Sequence, residues 1–522
     1  MLYVVLLACV APPAPDRDET TIPSPPAPSD PVEVVPGAAE TDCGLRSDLA
    51  SPWFLEGDTV RFTVACTGAV DDADTALTAR VLPAGAHFDP ETRTYTWTTG
   101  PSDGGRYDQV FQVGTGDAPA AEVVTFWVAD DPSNPDNVAV DPSRYTEEWG
   151  VPVMHLATTA ALTDTYSDAT ATWDGTDYPA LVKVHGRTST NYPKRSYALE
   201  FEGAELPVLD WGVRRDHFLL ISTFDDNSYA RQALTYATWA QMAERAGLPR
   251  FTPRTVYTVL YLDGAYVGLY LGLDRIDDEF VDQMGFARDA NLYKAVDPDA
   301  NFYATAEDGS PKKTLHDGYE KAEGEPEDDF ADLDALVGFT SAGSTADLLA
   351  GSDAWFDREE FIDWFLLVHY ANAEDSTNKN VYLHHAPGEL FRYIPWDFNA
   401  SWGQNWRTYR RDPDVANYYA ETNRVFAAFF EDSAATAAVW ARLEALRVDG
   451  GPLGAEWQTA WLDATYARID PSAQRDWEHW AEAYQSYDEW TDYRTDHDDW
   501  TDYAGEKDYL YRWIADRADY YP

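Results

Sequence analysis

The sequence predicts an α+β protein, a small all-β sandwich followed by a larger mixed domain that ends in helices. Three observations carry this. Between residues 55 and 130, short runs alternate apolar and polar side chains and are cut by Gly- and Pro-rich turns, the period-2 pattern of half-buried strands. Further on, hairpin signals at Asp263-Gly264 and Pro387-Gly388 bracket a stretch of helical period. Beyond residue 420 the apolar spacing is helical almost throughout.

Composition narrows the function. With 522 residues the chain has room for several domains of about 100–200 residues each. Apolar residues make up 44% and charged residues 25%, which suits packed cores rather than disorder. Lys and Arg total 38 against 91 Asp and Glu, a formal net charge of −53. Such a surface repels phosphate backbones and anionic lipid, so nucleic-acid binding and electrostatic membrane docking are disfavoured.

The N-terminal elements read as an export apparatus and a spacer. Leu2 to Ala11 is apolar but too short to span a bilayer, which needs about 20 residues. It resembles the core of a secretory signal, and Leu6-Leu7-Ala8-Cys9 is similar to a bacterial lipobox, so residues 1–9 are expected to direct export and Cys9 to carry lipid. Residues 10–39 are a Pro-rich linker, semi-rigid and extended. Residues 40–130 form the expected sandwich, with strands at Thr59–Ala65, Thr94–Thr98, Tyr107–Val113 and Glu122–Val128. The stretch LPAGAHFDPETRTYTWTTG resembles the Ig-like repeats of bacterial surface proteins, which implies a spacer or adhesion module. In an oxidising compartment Cys43 and Cys66 can form a disulfide that staples its first strands.

After a linker at 131–144 the larger domain runs from 145 to 522. It is expected to hold a hairpin over Val256–Leu273, a helix over Arg358–Ala373 and a second hairpin over Val381–Pro395. Helices are expected at Thr422–Glu431, Ala435–Leu446, Leu453–Arg468, Ser472–Tyr487 and Tyr503–Tyr520, with an unpatterned loop over 306–330. The tetrapeptide Trp-Thr-Asp-Tyr at 490–493 recurs at 500–503; two copies do not make a solenoid, and no chemistry attaches to them.

One constellation carries chemistry. Asp375 is followed five residues later by Asn380, then by a hairpin, then by Trp396-Asp397-Phe398. In protein-kinase-type sites the first Asp accepts the proton of the attacking hydroxyl, while the Asn and the second Asp hold Mg²⁺ on the nucleotide phosphates. The spacing also fits a hydrogen-bonded turn carrying surface acids. Upstream, Lys194 and Arg195 are adjacent cations in a chain with only eight lysines, suited to a phosphate or to a structural counter-ion. No zinc-type His pair, no nucleophile elbow and no GxGxxG loop is present.

The segments VHGRTSTNYPKRSYALEF, STFDDNSYARQAL, VYTVLYLDGAYVGLYLGLDRID, NLYKAVD, EDSTNKNVYLHH and FRYIPWDFNASWG together resemble the CotH kinase family of secreted and spore-coat protein kinases. The resemblance implies an atypical protein-kinase-like fold with a helical C-terminal part, and transfer of phosphate from ATP to Ser or Thr of an exported surface or coat protein, with the chain itself a candidate acceptor. It places Asp375 as the catalytic Asp, Asn380 and Asp397 on Mg²⁺ or Mn²⁺, and Lys194 on phosphate with Arg195 and Lys294 as helpers. Asp274 stands where family members carry Glu, one methylene shorter in reach. Tyr382 and Trp396 are candidates to stack on adenine, or simply core aromatics. The competing readings are an inactive kinase fold serving in binding or coat assembly, and a calcium-dependent adhesion protein; no EF-hand loop supports the latter.

Overall fold

The computed structural model describes residues 44–521 except 67–76, 114–119, 202, 204, 209–210, 416–418 and 489–501. The expected signal, Cys9, the Pro-rich linker, Cys43 and most of the tetrapeptide repeat lie outside the described residues.

Residues 45–129 form two four-stranded sheets packed face to face. One holds, in spatial order, Leu45–Ser47, Thr59–Cys66, Thr94–Thr98 and His87–Asp89; the other holds Trp53–Leu55, Ala120–Ala129, Gly105–Val113 and Leu77–Arg80. Alternation decides which side chains face inward: Val60, Phe62 and Val64 of one sheet meet Phe111, Phe126 and Val128 of the other. Cys66 is in a disulfide.

The larger domain is built on a sheet that closes on itself. Ser167–Trp173, Thr176–His185, Ser196–Glu200, His217–Ile221, Ala265–Leu273, Thr255–Leu262 and Val151–Thr158 follow one another, and the last pairs back with the first. All neighbours are antiparallel except Val151–Thr158 with Thr255–Leu262. The period-2 pattern splits each strand between two cores. Met154, Leu156, Phe218, Leu220 and Tyr270 fill the barrel, while Val153, Leu219, Leu269 and Leu271 face outward onto the helices. The predicted hairpin turns at Asp263 (φ 51°) and Gly264 (φ 81°), as a two-residue turn of positive φ requires.

Beside the barrel lies a four-stranded sheet in the order Tyr319–Glu323, Asn291–Ala295, Val381–His385, Arg392–Pro395. The helix that leads into its last two strands, Arg358–Tyr370, is buried from Glu360 onward. Two expectations are corrected. Within the supposed loop 306–330, Tyr319–Glu323 is an edge strand, because Asn291–Ala295 offers its free edge and Tyr319 is buried. The two helices expected on either side of Pro471 are one, Ala455–Gln485. An interior proline costs about 3 kcal/mol, but Leu462, Tyr466 and Ile469 before it and Ala473 and Trp477 after it all pack into the same core.

The sandwich is joined to this domain by a buried polar knot. Arg475 of the long helix reaches both Asp130, at the end of the sandwich, and Glu148, at the entry to the barrel. Tyr261 donates to Asp130 (3.1 Å) and Tyr145 to Glu148 (2.7 Å). Removing the cation leaves Glu148 buried without a counter-charge, so Arg475→Met should lower stability by about 3–5 kcal/mol, read by urea unfolding of the whole chain. A change well under 1 kcal/mol would show that the junction carries no load.

Candidate active site

A cavity of about 730 Å³ opens between the barrel and the four-stranded sheet. Strand ends and the loops that leave them build most of its walls. The chain leaves the helix Arg358–Tyr370 and makes a short turn at Glu374–Ser376 that places Asp375 on the cavity wall. One oxygen of Asp375 accepts from Asn380 Nδ2 and the other pairs with Lys379 Nζ, both at 2.7 Å. Asn380 adopts the left-handed conformation (φ 56°), and its N–H donates to Ala295 as the chain enters Val381–His385. After the hairpin, Asp397 is again left-handed (φ 58°) and its N–H donates to the Tyr236 hydroxyl. Thr223 across the cavity shares the conformation (φ 51°). Each such non-glycine residue costs on the order of 1–3 kcal/mol, and such residues concentrate at functional sites.

Lys294 is the cation that faces Asp397. Its Nζ lies 5.5 Å from the rings of both Tyr382 and Trp396. Burial lowers its pKa, and Asp397 opposes that. Trp396 stands edge-on to Tyr382 (5.6 Å) and His185 (6.4 Å). Burial, with Lys294 close by, depresses His185 to about 4, so its imidazole is neutral.

Two carboxyls are strongly perturbed. Burial first, then the charge of Asp375, pushes Asp397 up to about 6, against the pull of Lys294 and Lys379. Burial, then Asp397, then Asp226 pushes Asp225 up to about 7. Asp225 accepts from Asn399 Nδ2 and, at 3.3 Å, from the Tyr192 hydroxyl. Asp397 and Asp225, with the carbonyl oxygen of Asn380 whose amide nitrogen is spent on Asp375, form a set of oxygen donors, the chemistry that Mg²⁺ and Mn²⁺ prefer. These residues fit a divalent cation.

The structure brings Asp375, Asn380, Asp397, Lys294 and Trp396 to one cavity and places the other expected residues elsewhere. Lys194 is 1% exposed; its Nζ binds Asp476 of the long helix (2.8 Å) and the Leu269 carbonyl. Gly268 makes this approach possible, since a Cβ there would lie 1.8 Å from Asp476 Oδ1. Alternation explains the placement: Tyr192, Lys194 and Ser196 point inward, while Arg195 points out into a shallow depression beside Asp263, away from the cavity. Asp274 is wholly buried and holds Arg254 through both oxygens, with Arg215 at 3.4 Å. The cavity has instead Lys183, Arg187 and Lys379 beside Lys294. Lys379 was legible as the lysine inside the Asp375–Asn380 segment, and Asp225 as half of an Asp-Asp doublet. A separate group, Asp216, His217 and Asp277, also brings potential metal-ligand atoms within 4.8 Å of one another, outside the cavity lining.

Residues 182–521, well over half of the chain, match the family described as CotH kinase protein. The chain belongs to the CotH kinase family. A stretch of 247 residues is 26% identical to the inner spore coat protein H of Bacillus subtilis (strain 168), covering 45% of this chain and 64% of that protein. The chain therefore spans less than two thirds of the length of this relative. The barrel strands Val151–Thr158 and Ser167–Trp173 precede the matched residues, yet close the sheet that carries them. Among the described residues no helix is long and apolar enough to cross a membrane.

The raised carboxyls set a pH dependence. A carboxyl whose folded pKa lies above its unfolded value favours the fold below that unfolded value and loses this contribution as pH rises, here from about 4 through about 6 for Asp397. In metal-free protein Asp397→Asn should therefore raise stability at pH 8 by on the order of 1–2 kcal/mol, and by clearly less at pH 5, midway through that window. Melting at the two pH values checks this; equal effects at both would contradict it.

Proposed function

We propose that this chain is a protein kinase that transfers the γ-phosphoryl group of ATP to Ser or Thr of an exported protein of a surface or coat layer. The observation that carries the proposal is the convergence of Asp375, Asn380, Asp397 and Lys294 on one cavity of a chain in the CotH kinase family. Asp375, held by Asn380 and Lys379, is oriented to accept the proton of the attacking hydroxyl as the new O–P bond forms. Lys294 is the phosphate-contacting cation, the role expected of Lys194, and Asp397 with Asn380 would hold the metal ion. Bound there, Mg²⁺ or Mn²⁺ neutralises phosphate charge and fixes its orientation. Trp396 is the aromatic face against which the base would lie, with the buried Tyr382 packed edge-on to it and outside the cavity lining. The name of the Bacillus relative and the exported character expected of residues 1–9 support a coat or surface setting.

The sequestration of Lys194 and Asp274 in structural ion pairs favours the second reading, a kinase fold that only binds. Incubation with γ-labelled ATP and Mg²⁺ or Mn²⁺ separates the two. The kinase reading predicts label on the chain or on a generic acceptor protein. It predicts rates about 10²–10⁴-fold lower in Asp375→Ala and transfer lost in Asp397→Ala. In Lys194→Met it predicts a lower melting temperature with the nucleotide-induced rise retained. Absence of both label and nucleotide-induced stabilisation would establish the binding module.

A further inference from the structure

We infer that Asp225 is a second metal-holding carboxylate of this cavity, acting together with Asp397. The inference rests on the kinase reading for its place in the reaction but on geometry for its substance.

Asp225 and Asp226 are adjacent, yet the fold uses them differently. Asp226 is consumed internally: one of its oxygens binds Arg231 Nη1 and Ser228 Oγ, both at 2.6 Å, and the other accepts the Arg231 N–H. Its N–H donates to the Thr223 carbonyl, closing the turn that begins at the left-handed Thr223. Both acids of the turn line the cavity, but only Asp226 has its charge met, by Arg231. The partners of Asp225 are neutral, the Asn399 amide and the Tyr192 hydroxyl, and among the described residues it makes no ion pair.

Asp397 lines the same cavity, and its charge and that of Asp225 repel. Asn399, two residues beyond Asp397, donates to Asp225 and so ties the two loops in one register. The Gln404 amide holds the Asp225 carbonyl from the same side, fixing its backbone. Two carboxylates fixed in one wall with a shortfall of positive charge destabilise the empty protein; a divalent cation between them removes the repulsion and gains both oxygens as ligands. A structural acceptor for Asn399 would not need a charge, and Asn in its place would serve equally.

Asp225→Asn keeps the shape and the acceptor oxygen while removing the charge. In the full chain without nucleotide, Mn²⁺ alone is the probe: its affinity by electron paramagnetic resonance, and melting with and without it. The inference predicts that the variant melts higher than the parent without metal and that its Mn²⁺ affinity falls by about tenfold or more. A smaller change in affinity overturns it, whatever the melting temperature. Should Asp225→Asn fail to fold, Asp225→Ser is judged by the same affinity criterion. Because no transfer is measured, the result is separable from the kinase reading: a chain that binds Mn²⁺ through Asp225 yet transfers nothing would leave this inference intact and remove that one.

Discussion

Positive charge is the scarce resource of this molecule. With 38 basic side chains against 91 acidic ones, acids are at hand for most buried cations, and the fold assigns several of these cations to joints. Lys194 fastens the barrel to the long helix through Asp476, Arg231 links Asp226 to Glu506, Arg250 holds Asp363, and Arg475 locks the sandwich to the barrel. Breaking such a pair strands a buried charge, at a cost of several kcal/mol, so these cations are not free to serve a ligand. The cavity is left with acids in excess, which a divalent cation can balance.

The site itself follows from the two sheets that bound it. Strand ends fix the roots of Lys294, Asn380 and Asp397, and left-handed residues at Thr223, Asn380 and Asp397 turn the chain sharply where the strands stop. Barrel closure sets the opposite wall, because the loops after Thr176–His185 and His217–Ile221 both emerge on that side. The strain of these turns is tolerable because the surrounding core is dense; Trp364, Phe398 and Trp402, all fully buried, belong to that core.

What the sequence made legible was local. Asp375 and Asn380 lie within one short segment, Asp397 follows a hairpin whose register the turn residues set, and alternation marked the sandwich strands and the turn at Asp263-Gly264. What it hid was long-range. The partner of Lys194 is 282 residues away, so nothing beside Lys194 distinguished a structural cation from a phosphate ligand. Pro471 read as a helix break because the core that overrides it is assembled from distant elements. Asp225 is separated from Asn399 by 174 residues, and only the folded chain shows which acid of its doublet is spent on Arg231 and which meets neutral partners.

On the proposed reading, the cavity between the barrel and the four-stranded sheet holds a metal-bound nucleotide. Crystals of the chain grown with Mn²⁺ and a non-hydrolysable ATP analogue, with anomalous scattering used to locate the metal, test this most directly. The expected result is a Mn²⁺ peak beside Asp397 and Asn380, with phosphates reaching toward Lys294. Metal found only at Asp216, His217 and Asp277, with the nucleotide absent from the cavity, would contradict it.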